Sequence, residues 1–102
     1  MKLLAEFDRE MENIYVRAKE EAGYTASIFH RMLIEKGGLA TAKQLINDPT
    51  VSQGYTNLWE RGRLDLSVEA VVIDNPKWHS LFTAEELARA RKRLIDYRYF
   101  ER

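Results

Sequence analysis

The chain has 102 residues, the length of one domain and enough to bury a core without covalent staples. Hydrophobic residues make up 45% and charged residues 31%, which is globular usage and excludes disorder. The formal net charge is zero and cysteine is absent, so no whole-molecule field draws nucleic acid or membrane, and disulfides, thiolate catalysis and cysteine-ligated zinc are excluded.

Charge is nonetheless uneven along the chain. Residues 1–22 hold six acids against four bases, and residues 84–102 hold six bases against four acids. That split fits two helices attracting each other, or solvated faces. No apolar run approaches the roughly 20 residues that cross a bilayer. The stretch Met1–Phe7 is too short and too soon acidic for a signal peptide, so a soluble cytoplasmic protein with no membrane partner is expected.

In chain order, Leu4, Phe7, Met11, Ile14, Ala18 and Ala22 recur every three to four residues and predict a helix from about Lys2 to Ala22, widened by Tyr15 and stopped at Gly23. Thr25 is read as the cap of a second helix with Ile28, Phe29, Met32 and Leu33 inward, ended by Gly37 and Gly38. A short third helix turns Leu39, Ala42, Leu45 and Ile46 inward and closes at Asp48-Pro49, because proline disfavours helix in the residue before it. After a loop through Gly54, a brief helix from Tyr55 to Glu60 stops at Gly62. Ser67 is the expected cap of Val68–Ile73. The run Val71-Val72-Ile73 has strand-like composition, but no second strand exists to pair with it, so helix is expected. Asn75-Pro76 opens a turn or single helical turn through Trp78.

The strongest local grammar lies at the last helix, from about Ala84 to near Tyr97. Thr83 and Glu86 form a capping box and Phe82 and Leu87 a hydrophobic staple. No repeat or linker interrupts the pattern, so the chain is read as all-α, a compact single domain of five or six helices.

Catalytic and metal-binding signals are thin. His30 and His79 are the only histidines and lack zinc-ligand spacing, so no metal and no cofactor is expected. His79 reads as a local hydrogen-bond partner. Ser52, Ser67 and Ser80 have no nucleophile setting, and Gly37-Gly38 lacks the sequel of a phosphate loop. Glu85 and Glu86 are explained by the positive end of their helix. A non-enzyme is expected.

Aromatic residues are more suggestive. Tyr24, Tyr55, Trp59 and Trp78 stand in or near turns, and Trp59 precedes Glu60-Arg61-Gly62-Arg63. One reading is a partner-binding surface of Tyr55, Trp59, Arg61 and Arg63, joined by a basic strip Arg89, Lys92 and Arg93. The other is that Trp59 and Leu58 plug the core while Tyr55 bonds a backbone group. The tail Tyr97-Arg98-Tyr99-Phe100 is aromatic enough to dock or form a contact.

Two resemblances add to this. The runs Ile14–Lys19, Gly23-Tyr24, Gly37–Lys43 and Gly54–Ala70, with Leu81-Phe82-Thr83 and the helix after it, resemble a widespread group of small uncharacterised bacterial proteins. That likeness implies a bacterial or phage origin and an all-helical domain, and no activity. The stretch Val51–Arg63 is similar to the recognition-helix end of repressor-type helix-turn-helix domains. This second likeness implies DNA contacts from Ser52, Gln53, Asn57, Arg61 and Arg63, with the Gln53 amide on adenine and the arginines near phosphates. Thr56 stands where that pattern buries an aliphatic residue, Pro49 interrupts the preceding helix, and zero net charge offers phosphates little. A protein partner is therefore the first expectation and nucleic acid the alternative.

Overall fold

The structure, a computed structural model, describes residues 2–101. It is all-α, with five α-helices, two 3-10 segments and no strand among the described residues. Helix α1 (Lys2–Ala22) buries Phe7, Met11, Ile14 and Ala18, the stripe its periodicity predicts. Helix α2 (Ser27–Asn47) is one span broken at Gly37, whose φ of 83° and ψ of 170° are not helical and suit glycine.

At that break the helix restarts against α1. The Gly38 N–H donates to Asp8 Oδ1 at 2.7 Å, so a carboxylate from a neighbouring helix serves a new helix start. A Cβ on Gly38 would lie 2.7 Å from that oxygen and 3.1 Å from the Asp8 Cα. The glycine is therefore what lets the two backbones approach. The second half of α2 buries Thr41, Ala42 and Ile46.

Two expectations for α2 are corrected. Its N-cap position is Ala26, with no side-chain cap, rather than Thr25. Ile28 is 73% exposed, and the inward residues of this half are Phe29, Met32 and Leu33, with only Leu33 buried. Helical spacing alone does not say how wide the covering partner is.

Helix α3 (Gln53–Glu60) starts two residues earlier than expected, because the Ser52 side chain accepts the Tyr55 N–H at 3.1 Å. It ends in a left-handed Gly62, with the Arg63 N–H on the Leu58 carbonyl at 2.8 Å and the Gly62 N–H on that of Trp59 at 3.0 Å. A 3-10 turn, Leu64–Leu66, then leads to α4 (Val68–Asp74), capped by Ser67.

Helix α4 is the centre of the fold. Val68, Glu69, Ala70, Val72 and Ile73 are all buried, and it packs against α5, α2 and both 3-10 segments. Burial on nearly every side explains why a β-branched run is stable as helix here. Asn75 caps the second 3-10 segment, Pro76–Leu81, which buries Trp78. Phe7 receives Trp78 and Phe82 edge-on, at centroid distances of 5.3 and 5.7 Å.

Helix α5 (Ala84–Asp96) carries the expected capping box: Glu86 N–H to Thr83 Oγ1 at 3.1 Å, and Thr83 N–H to Glu86 Oε1 at 2.9 Å. Beyond it Arg98 takes a φ of 59°, and the Tyr99 N–H returns to the Leu94 carbonyl at 2.8 Å. Tyr99 is buried and its hydroxyl donates to Asp74, so the aromatic tail is fastened to α4.

Candidate functional site

The end of α3 and the tail after α5 form an open cleft of about 530 Å³, walled by Trp59, Gly62, Leu64, Tyr97, Arg98 and Tyr99, with Arg63, Asp65 and Glu101 at its charged edge. Trp59 is 47% exposed. Its ring meets that of Tyr97 edge-on, with centroids 5.4 Å apart at 87°, and Tyr97 meets the Tyr55 ring at 5.0 Å. A half-exposed tryptophan thus rests on a tyrosine that rests on a core tyrosine, which orders the exposed ring in advance of any contact. The Arg98 backbone bonds Ile95 and Glu101, while its exposed side chain on the cleft wall makes no hydrogen bond or ion pair among the described residues.

The residues singled out from sequence do not converge on one surface. Tyr55 is corrected from surface to core at 2% exposure. Its hydroxyl is buried without a hydrogen-bond partner, so the expected backbone bond is not made either. Burial, and then the nearby Glu69 carboxylate, push its phenol above the ordinary value.

Arg61 is a strut between elements. Its Nε donates to the Ala22 carbonyl at 3.1 Å and its Nη1 to Asn57 Oδ1 at 3.0 Å, while the guanidinium lies 5.2 Å over the Tyr24 ring. Arg63 is held by Asp65 at 3.0 Å and by Glu21 at 2.8 Å. Hydrogen bonds from Arg17 and Arg63 hold Glu21 down to about 2.

The basic strip on α5 is likewise corrected. Arg93 is buried, with Nη1 on the Leu45 carbonyl at 2.8 Å and on Glu69 Oε2 at 3.1 Å, and Nη2 on the Asp48 carbonyl. It serves the carbonyl end of α2, where a cation is favoured. Arg89 reaches the same end, donating to Asn47 Oδ1 at 2.9 Å. Lys92 stays on the surface, 75% exposed and paired with Asp96 at 2.9 Å, and Arg89 is exposed as well.

Of the candidate DNA-contacting set, Ser52 is spent as a helix cap and Asn57 donates to the Gln53 carbonyl at 2.9 Å while accepting from Arg61. Gln53 is exposed. Helix α3 packs chiefly against the 3-10 turn Leu64–Leu66 rather than across the helix before it.

The two histidines are occupied. His30 stacks on Tyr15 at 4.1 Å and faces Glu12 at 3.4 Å, and His79 Nε2 is 3.0 Å from the Val72 carbonyl, the local bond expected of it. Among the described residues no group of histidine and carboxylate side chains is placed to hold a metal ion. No described helix is long and apolar enough to cross a membrane.

Sequence reasoning missed Arg98 as a cleft residue. The aromatic tail was the available signal, but a helix that ends on a left-handed arginine carries no glycine to announce the turn. No known family, no curated protein and no solved structure matches the chain.

Proposed function

We propose that the protein is a non-enzymatic interaction module that binds a protein partner through the Trp59–Tyr97 cleft. The observation that carries this reading is the half-exposed Trp59 ring, set edge-on against Tyr97 beside the exposed Arg98. Tryptophan, tyrosine and arginine are the residues that carry most binding energy at protein interfaces, and rings ordered in advance lose little entropy on contact. The partner segment that fits is an apolar side chain followed by a carboxylate, which Arg98 would pair.

Protein is preferred to DNA because Asn57, Arg61 and Arg63 are already engaged within the chain and the formal net charge is zero. The test is affinity capture with the wild-type chain and with Trp59→Ala, Arg98→Glu and Lys92→Ala variants. A specific partner retained by wild type and Lys92→Ala, and lost with the other two, is the expected result. Labelled random duplex DNA titrated across a salt series gives the opposing arm. Binding whose log affinity falls linearly with log salt would overturn the protein reading in favour of DNA.

A further inference from the structure

A separate pocket of about 340 Å³ opens between α1, the first half of α2, and α3. Buried Ile14, Ala18 and Leu58 line it, and half-buried Phe29 and Met32 stand in its wall. Ile28 lines the same pocket and is 73% exposed. The other exposed residues of the lining, Thr25, Ser27 and Gln53, are polar and uncharged. Glu69 is the one charged residue in the lining, and it is buried and paired with Arg93.

A single exposed isoleucine is ordinary on a protein surface. Ile34 is one, 72% exposed on the same helix and no part of the pocket. Ile28 differs because it stands beside a hole of its own chemistry. A small apolar ligand would fill the hole and leave most of Ile28 in water, whereas a second copy covers both. On a two-fold axis one patch faces itself, so a projecting apolar side chain and an apolar hole on that patch serve each other. Charge agrees. A patch that faces itself brings like charges together, and the exposed lining here carries none. The formal net charge of zero adds no long-range repulsion between copies. The lining shares no residue with the Trp59–Tyr97 cleft, so this contact does not use the cleft.

We infer that two copies of this chain pair about a two-fold axis, each seating its Ile28 in the other's pocket. Sedimentation equilibrium of the full chain through the micromolar range tests it. The expected result is a reversible dimer of twice the 12.0 kDa chain mass. Each dimer buries two Ile28 side chains, so Ile28→Glu should weaken it at least about a hundredfold. Ile34→Glu makes the same change at an equally exposed position outside the pocket, and should leave the dimer constant within about twofold. Gln53→Glu brings like charges to the rim from α3 and should weaken the dimer about tenfold. An acid suits that helix start, so this arm stands even where Ile28→Glu fails to fold. A wild-type chain that stays monomeric throughout would overturn the proposal, and saturable binding of naphthalene by that monomer would assign the pocket to a small apolar ligand instead. A dimer that Ile28→Glu and Gln53→Glu leave intact, or that Ile34→Glu disperses as fully as Ile28→Glu, would overturn it as well.

Discussion

Arg93 donates to the Glu69 carboxylate at 3.1 Å with the two side chains only 10% and 4% exposed, tying α5 to the central helix α4. The same guanidinium also closes the carbonyl end of α2. Burial pushes the Glu69 carboxyl above its ordinary value, and Arg93 works against that push. Removing the cation leaves a buried carboxylate and two helix-end carbonyls without their donor. Arg93→Ala is therefore expected to cost about 3–5 kcal/mol in urea unfolding. Glu69→Gln keeps an oxygen acceptor and leaves Arg93 on both carbonyls, so its expected cost is about 1–2 kcal/mol. Equal losses in the two variants would count against this division of roles.

Glu86 joins α5 to α2. It closes the capping box on Thr83 and accepts from Lys43 Nζ at 2.6 Å and Asn47 Nδ2 at 2.8 Å, both on α2. Burial alone would raise its pKa. The hydrogen bonds from Lys43, Thr83 and Asn47 together outweigh burial and hold it down to about 2. A carboxylate depressed in the folded state stabilises above its unfolded value, near 4.5, and that contribution fades as pH falls from there toward 2. After discounting for the partly exposed lysine, about 1–2 kcal/mol is at stake. Glu86→Gln keeps the capping geometry and removes the charge. The difference in unfolding free energy between wild type and this variant should be largest at pH 7 and shrink by pH 3.

What was legible from sequence was local. The Thr83–Glu86 capping box, the Ser67 cap and the Gly62 stop each depend on residues within a few positions of one another, and each stands as read. From the sequence Arg93 reads as surface because it neighbours Lys92 and follows Arg89 by one turn. Its burial depends on Leu45, Asp48 and Glu69, all at least 24 residues away in the chain. Ile28 fails for the mirror-image reason, since its spacing points inward but no element covers it. The cleft around Trp59 needed both the turn after α3 and the left-handed Arg98, and only the first has a glycine. The gap that Phe29, Met32 and Leu58 line between α1, α2 and α3 is likewise marked by no residue pattern.

Asp8 and Gly38 meet where α2 restarts against α1. Gly38→Ala would push a methyl against Asp8 Oδ1 and backbone, with an expected cost of about 2–3 kcal/mol from overpacking and loss of the 2.7 Å hydrogen bond. Asp8→Ala removes only the cap, at about 1 kcal/mol. Because the two substitutions break one contact, the double variant should cost less than the sum of the singles. Strict additivity across the four proteins of this double-mutant cycle would show that Asp8 and Gly38 act independently.

The two tryptophans provide the sharpest separation of surface from core. Trp78 is 3% exposed and packs edge-on to Phe7, so Trp78→Ala should open a cavity and cost about 3–5 kcal/mol. Trp59 is 47% exposed and rests on Tyr97 alone among the ring contacts, so Trp59→Ala should cost no more than about 1–2 kcal/mol. The far-ultraviolet circular dichroism of Trp59→Ala should match wild type at 25 °C, while its chemical unfolding midpoint falls slightly. If Trp59→Ala instead destabilises as much as Trp78→Ala, the exposed ring is needed to hold the end of α3 against the tail after α5. Loss of partner binding in that variant would then report unfolding, and the Arg98→Glu variant, at an exposed position of the cleft wall, would carry the test of the cleft alone.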